Sequence, residues 1–499
     1  MPPRLACFLT LLLVAPASAD EDDGKALQRA LEASVARAAK GARHTVARIY
    51  VSRSDAYEKA VWGETVGNVS AGELGRFDAG AARKRIPADA RARARILRAI
   101  EEHDLSDPRI VPESFGSGIV IDPKGLVLTC SHVVRNARRV YVRLPGKPGS
   151  WADIHASDPR SDLAVLRLLD PPAGLVAMPL GRGGLVREGN IVVCIANGYE
   201  PRFRPEPTVK YGLVNARRRQ APGKGEEVEN TRKTLAEFGT LLQVDAQAAP
   251  GCSGGVLIDL DGKAVGLTTA IAGVAGAESA GLAMPFDTNT RRIIEVLKRG
   301  EEVEYGFLGV TLRDEFGNRG NGVYLAKVMP GSPASRAGLR DHDLVRAIDG
   351  KPVRNNADLF LFVGMALAGN TVRIDVQRVG GPKTCNVTLA KYSVFGNAIA
   401  AKRPAARFGL RVDYNSILAQ RNAVFLRWPA DGVAIREVVP GSAADKARLQ
   451  PEKLITHVDG RPVLTPADFY KAIARAGKTV QITYAKSDGQ PERLTLEEK

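Results

Sequence analysis

Two pairs of segments 110 positions apart carry the same pattern. VMPGSPASRAGL at 328–339 is answered by VVPGSAADKARL at 438–449, and AIDGKPV at 347–353 by HVDGRPV at 457–463. A repeat of this length means that each copy is one folded unit with its own strand, turn and helix order, so the last two hundred or so residues divide into two similar domains. The first is placed at 303–391 and the second at 407–499. The basic, Ala-rich stretch 392–406 serves as the linker between them.

Upstream the pattern changes. HTVARIYV at 44–51 alternates as a strand does, and regular strand signals resume at Phe115. GIVIDPKGLVLTCSHVV reads as two strands around the Pro123-Lys124-Gly125 turn. RRVYVRLP, DLAVLRLL, NIVVCIAN, VKYGLVNA, TLLQVDA, GGVLIDL and AVGLTTAIA follow, the last two joined at Asp261-Gly262. Many short apolar runs separated by turn residues indicate an all-β sandwich or a pair of barrels. A helix closes this region: Asp287 or Thr288 can cap it, Ile293, Ile294 and Leu297 face inward, and Gly300 ends it. The domain is therefore placed at 44–299, with a basic insertion at 52–114 in which 87–103 reads as a helix.

The start of the chain reads as an export signal. Arg4, an apolar run from Leu5 to Ala15, and Ala17-Ser18-Ala19 predict cleavage after Ala19, leaving 20–43 as an N-terminal segment. The expected location is periplasmic or secreted. Cys130, Cys194, Cys252 and Cys385 remain after cleavage, too few for a disulfide scaffold and without paired spacing for zinc. The net charge of +16 is concentrated in Arg83–Arg98, Arg217–Arg219 and around Lys402-Arg403; no nucleic-acid motif accompanies it, and no nucleic-acid partner is expected.

Three segments carry chemistry. LTCSHVV puts His132 at the end of an apolar strand, DPRSDLAVLRL puts Asp162 just before a buried one, and AAPGCSGGVLIDL puts Ser253 inside a glycine-rich turn. Each residue alone would be an ordinary turn or cap former. Together, in the order His, Asp, Ser within one β-rich region, they match the triad of the chymotrypsin fold. A serine hydroxyl needs a neighbouring base to become a nucleophile; His132 supplies it and Asp162 holds the imidazole's tautomer. Gly251, Gly254 and Gly255 let the turn aim its N–H groups at a developing oxyanion, with Gly251, Cys252 and Ser253 as the expected oxyanion hole.

Residues 115–499 resemble the HtrA/Deg (Do-like) family of trypsin-like serine endoproteases. GSGIVID, Thr129-x-x-His132-Val133-Val134, DPRSDLAVL, QVDA, GxSGG, LTTAI, GLAMPFD and GFLGV occur in the family's order. The resemblance implies a mostly β chain: a chymotrypsin-like double β-barrel followed by two PDZ (β-rich α+β) domains. It implies a serine endopeptidase acting on misfolded or damaged envelope proteins, without cofactor or metal, as a homo-oligomer such as a trimer. Leu267, Thr268, Thr269, Leu282, Ala283 and Met284 would line the specificity pocket; no acid is among them, so cleavage follows small or medium apolar residues. Phe307, Leu308, Gly309 and Val310 would form the peptide-carboxylate loop of the first PDZ, which takes apolar C-terminal peptides.

Two departures from the family pattern stand out. Cys252 replaces the usual Asn before the nucleophile, and Ala249-Pro250 changes the approach to the turn. In the second PDZ, Phe408-Gly409-Leu410-Arg411-Val412 is aligned so that Arg411 takes the place of Gly309, and Arg448 that of Gly338. The first PDZ is therefore expected to read peptides and the second to be structural. The competing expectation is a catalytically quiet PDZ scaffold or holdase.

Overall fold

The structure, a computed structural model, describes residues 21–53, 114–198, 206–219, 234–246, 251–269, 281–313, 322–394, 398–419, 430–485 and 490–498. The expected signal peptide and the 87–103 helix lie outside these residues.

A helix missed in the sequence opens the described chain. This α1 (Glu21–Ala42) buries Ala38, Ala39 and Ala42 against the protease-like core. The first β-barrel follows: β1 (Val46–Ser52), β2 (Ser114–Asp122), β3 (Leu126–Cys130), β4 (Arg139–Arg143), β5 (Ser150–Asp158) and β6 (Leu163–Leu168). Their order is β5-β4-β1-β2-β3-β6, and β5 also pairs β6, which closes the ring. The insertion is thus flanked by Ser52 at the end of β1 and Ser114 at the start of β2, which pair antiparallel. The second barrel is closed in the order β10-β11-β12-β9-β8-β7, from β7 (Ile191–Ala196), β8 (Thr208–Arg219), β9 (Leu241–Val244), β10 (Val256–Ile258), β11 (Ala264–Thr269) and β12 (Gly281–Pro285). Closure removes the free edges that a sheet would otherwise expose.

The predicted closing helix is α2 (Thr288–Lys298). Asp287 caps it by accepting from the Thr290 N–H, a contact worth about 1 kcal/mol, and Ile293, Ile294 and Leu297 are buried. Gly300, at φ +74°, turns the chain away.

The first PDZ unit comprises β13 (Gly306–Phe307), β14 (Val310–Leu312), β15 (Val323–Val328), α3 (Pro333–Arg336), β16 (Leu344–Ile348), β17 (Lys351–Pro352), α4 (Asn356–Met365), β18 (Thr371–Arg378), β19 (Gly381–Thr388) and β20 (Ala390–Lys391). The linker contributes β21 (Ile399–Ala400), which pairs with β5 of the first barrel through Ile399↔Ser157 and Ala400↔Ala156. The second unit comprises β22 (Leu410–Tyr414), α5 (Ser416–Ala419), β23 (Val433–Val438), α6 (Ala443–Lys446), β24 (Leu454–Val458), β25 (Arg461–Pro462), α7 (Pro466–Arg475), β26 (Thr479–Ala485) and β27 (Pro491–Glu497). Its strand order, β22-β23-β24-β26-β27, is the image of β14-β15-β16-β18-β19. Each unit has a separate apolar core.

The strand register corrects one expectation. Val310 pairs Val328, and Leu410 pairs Val438; the Met329 N–H donates to the Gly309 carbonyl, and the Val439 N–H to that of Gly409. Leu308-Gly309-Val310 is therefore equivalent to Phe408-Gly409-Leu410. Gly409, at φ +84° against +79° for Gly309, holds the glycine position, and Arg411 lies two residues beyond it. The offset between the units is 100 before the following connection and 110 after it, because that connection is longer in the second unit.

Candidate active site

His132 follows β3, and Asp162 precedes β6; antiparallel pairing of these strands brings the two together. Asp162 grips His132 twice: Oδ2 lies 2.7 Å from Nδ1, and Oδ1 accepts from the His132 backbone N–H at 2.9 Å. The Ser131 N–H donates to the Asp162 carbonyl at 2.9 Å, and the Thr269 hydroxyl to Asp162 Oδ2 at 3.3 Å. Asp162 adopts φ +58°, a left-handed conformation that Asp tolerates better than most residues. Both side chains stay partly open, 29% for His132 and 18% for Asp162.

The Ser253 turn precedes β10 of the second barrel, yet the first barrel holds it. The Ser117 N–H donates to the Ser253 carbonyl at 2.8 Å, and the Ser117 hydroxyl to the Gly251 carbonyl at 2.8 Å. On the other side the Gly254 N–H donates to the Thr268 carbonyl, the Thr268 N–H to the Gly255 carbonyl, and the Thr268 hydroxyl to the Cys252 carbonyl. Gly116 shows how near the histidine strand comes: a Cβ there would meet Val133, next to His132, at 2.7 Å and the Ser253 carbonyl at 3.2 Å. The three predicted residues thus gather on the seam between the barrels. Among the described residues, His132 is bonded to Asp162 and not to the Ser253 hydroxyl; catalytic hydrogen bonds are often loose before substrate binds.

Glycine is demanded at 254. At φ +85°, a Cβ would stand 2.0 Å from the Ser117 carbonyl oxygen and 2.6 Å from Thr129 Oγ1. Gly251 is also left-handed, at φ +84°. Among the described residues no carbonyl accepts from the Gly251 or Ser253 N–H.

The six predicted pocket residues sit side by side on β11 and β12, through Leu267↔Met284, Thr268↔Ala283 and Thr269↔Leu282. Five are buried; Thr269 is half-buried and also touches Asp162. Leu267, Leu282 and Met284 belong to the large core and Ala283 to the second-barrel core. In the first PDZ, Leu308 is buried, Gly309 turns the loop and Val310 starts β14. Phe307 instead packs behind the loop with Met329, Ala390 and Ala419.

Cys130, Cys194, Cys252 and Cys385 are free and buried. Burial, then the Asp162 carboxylate, pushes the Cys130 thiol well above its ordinary value. Burial, then Cys252, pushes Cys194 up to about 12. Cys130 Sγ is bonded to the Thr268 carbonyl at 3.4 Å, so it packs under the triad without pairing to Cys252.

A brace beneath Asp162 was invisible in the sequence. Asp158 is buried and, among the described residues, has no cationic side chain bound to it; it accepts from the Ser161 hydroxyl, the Ser161 and Arg160 N–H groups, and the Tyr305 hydroxyl. Arg160 stacks over Tyr392 at 4.0 Å and Tyr305 at 4.9 Å. These partners lie too far apart in the chain for any local pattern to signal them.

Residues 116–267 match the trypsin-like peptidase domain family, and residues 306–389 match the PDZ domain family. A probable periplasmic serine endoprotease DegP-like of Ectopseudomonas mendocina (strain ymp) is 30% identical over 387 residues, covering 74% of this chain and 77% of its own. Its counterpart in Pseudomonas fulva (strain 12-X) is 30% identical over 373 residues, covering 72% and 73%. The solved structure titled HtrA-type protease AlgW with tripeptide aligns with a TM-score of 0.48 at 24% identity, over 71% of this chain and 96% of its own. The peptidase and PDZ matches, and relatives 30% identical over most of their length, disfavour the quiet-scaffold alternative; the chain belongs to the HtrA-type, DegP-like family and is a serine endopeptidase that carries PDZ domains.

Proposed function

We propose that His132, Asp162 and Ser253 are the catalytic triad of this endopeptidase. The observation that carries the assignment is the double grip of Asp162 on His132, facing the pinned Ser253 turn across the seam. Asp162 holds the proton on Nδ1, which leaves Nε2 to take the Ser253 proton during attack and return it to the leaving amine. The N–H groups of Gly251 and Ser253, with Cys252 between them, receive the oxyanion. In comparable sites one such donor supplies about 3–4 kcal/mol of transition-state stabilisation. Leu267, Thr268, Thr269, Leu282, Ala283 and Met284 shape a pocket without charge, which suits a small or medium apolar side chain before the cut. Labelling of the full chain by a fluorophosphonate probe, lost in Ser253→Ala, tests the nucleophile. Mass-spectrometric mapping of casein fragments tests the pocket. Labelling that persists in Ser253→Ala, or cuts confined to Lys and Arg, would refute these assignments.

The substrates we assign are misfolded envelope proteins in the periplasm, consistent with the periplasmic name of the relatives and the export-type N-terminus, and the assembly we assign is a homo-oligomer. The first PDZ reads apolar C-terminal peptides through Phe307-Leu308-Gly309-Val310. The second is closed by its own side chains. Glu498 accepts from the Phe408 N–H at 3.2 Å and pairs Arg407, putting a carboxylate on the loop position where a peptide's terminus would dock. Tyr470 on α7 bonds both the N–H and the carbonyl of Val412, bridging the gap that an added peptide strand would enter.

A further inference from the structure

Among the described residues one cluster offers three donors suited to a metal ion. Cys130, His132 and Asp162 each place one ligating atom within 4.8 Å of the other two. Four bonds of about 2.0–2.3 Å around a zinc ion set neighbouring ligands about 3.3–3.8 Å apart. To close on such an ion, His132 Nδ1 and Asp162 Oδ2, now 2.7 Å apart, must separate by roughly 0.6 Å or more, and Cys130 Sγ, within 4.8 Å of both, must come to the same spacing. Sulfur, imidazole nitrogen and carboxylate oxygen are the ligand types that a borderline-soft divalent cation selects. Access comes from the cleft side, where His132 and Asp162 are partly exposed, with Cys130 buried beneath them.

We propose that Cys130, His132 and Asp162 form an inhibitory site for a thiophilic divalent cation such as Zn²⁺. The consequence for activity rests on the triad assignment; the binding itself does not. Cys130 is what distinguishes this active site chemically, because the other two groups alone make a hydrogen-bonded pair. Cys130 is buried with its Sγ within 4.8 Å of an Asp162 carboxylate oxygen, so a thiolate and a carboxylate would stand side by side there without a cation. The cation removes that conflict by neutralising both anions at once, since a coordinating thiol loses its proton outright.

The step balances as follows. The thiol proton leaves to solvent as the metal–sulfur bond forms. His132 moves its proton from Nδ1 to Nε2 as Nδ1 binds the metal, and Asp162 exchanges its hydrogen bond for a metal–oxygen bond. Nothing is oxidised or reduced. The imidazole then has no free nitrogen lone pair for the Ser253 proton, so hydrolysis stops until a chelator withdraws the cation.

Two measurements on the full chain test this. In the first, peptide hydrolysis is titrated with Zn²⁺ for wild type, Cys130→Ala, Cys130→Ser and Cys385→Ala, each normalised to its own metal-free rate. Wild type and Cys385→Ala, whose lost thiol lies in the first PDZ core, should be inhibited alike and recover with EDTA. Both Cys130 variants should need at least about tenfold more Zn²⁺, since even second-shell changes cost tenfold or more in metal affinity. In the second, Co²⁺ is added to Ser253→Ala, which cannot digest itself. A thiolate-to-cobalt absorption band should appear, be displaced by Zn²⁺, and be missing when Cys130→Ala is added. Equal Zn²⁺ sensitivity with and without Cys130, or no such band, overturns the site. Should the Cys130 variants fail to fold, the Zn²⁺-displaceable band in Ser253→Ala still decides. The band without loss of Ser253 labelling would count against the triad and leave the metal site standing.

Discussion

Replacing Tyr305 by Phe removes one hydroxyl and should weaken both the fold and the catalyst. That hydroxyl is one of four donors to the buried Asp158 carboxylate; Ser161 Oγ and the N–H groups of Ser161 and Arg160 remain. A hydrogen bond to a charged group contributes about 1.5–3 kcal/mol, and with three donors left the loss should sit near the lower end, about 1.5–2 kcal/mol. For a domain of this size that is a fall of about 3–8 °C in Tm. The loss should depend on pH. Burial raises the Asp158 pKa above its ordinary 3.8, against the pull of its hydrogen bonds. The folded state then holds the proton more tightly than the unfolded one, so this group's contribution to stability is complete below 3.8 and drains away as pH rises through the folded value. Tyr305→Phe raises that folded value further. The gap in Tm between Ser253→Ala and Ser253→Ala/Tyr305→Phe should be widest at neutral pH and narrow on acidification. Because Asp162 lies at the end of the Asp158 loop, kcat on a peptide substrate should drop while KM holds. Identical melting at every pH, or a gap that ignores pH, would refute the brace.

Three further outcomes follow from the same geometry. Asp162→Asn should keep the fold but lower kcat by about 10⁴, because the amide no longer fixes the imidazole tautomer; a loss of tenfold or less would refute its role. Gly254→Ala should cost about 2–4 kcal/mol from its left-handed backbone and the clash with the Ser117 carbonyl, seen as a lower Tm with hydrolysis nearly lost; normal activity would show that the turn tolerates a side chain. Combining Glu498→Ala with Tyr470→Phe should raise calorimetric binding of an apolar C-terminal peptide to the full chain from one site to two; an unchanged stoichiometry would mean that these side chains do not close the second groove.

The barrels were legible because their strands announce themselves locally, as apolar runs bounded by Gly, Pro and Asp turns. The α2 cap was legible for the same reason: Asp287 lies three residues before its Thr290 partner. The residues expected at the site were named from short motifs, and β3–β6 pairing does bring His132 to Asp162. What escaped depends on distant partners. Helix α1 buries alanines whose core lies elsewhere in the sequence, and Tyr305 gave no sign that it reaches Asp158. The register of the second PDZ was misplaced because FGLRV resembles GFLGV when slid by two, whereas the true frame is set by pairing to Val438. A sequence repeat reports that two units are alike; strand pairing reports which residue answers which.

The end of β5 is where these distant contacts converge. Ser157 pairs with Ile399 of the inter-PDZ linker, the Ala401 N–H donates to the His155 carbonyl, and the Lys402 N–H donates to the Gly300 carbonyl. One residue on, Asp158 takes the hydroxyl of Tyr305, which stands just before β13 of the first PDZ. Two residues further, Arg160 is stacked on Tyr392, just after β20, and its carbonyl accepts from the Leu235 N–H. The next turn of chain delivers Asp162 to His132. The loop that positions the imidazole is therefore held both by its own barrel, through β5–β6 pairing, and by the connectors before and after the first PDZ. Displacing the first PDZ removes the Tyr305 donor from the buried Asp158 carboxylate in that loop, and displacing the linker breaks its backbone pairing to β5, one residue before Asp158.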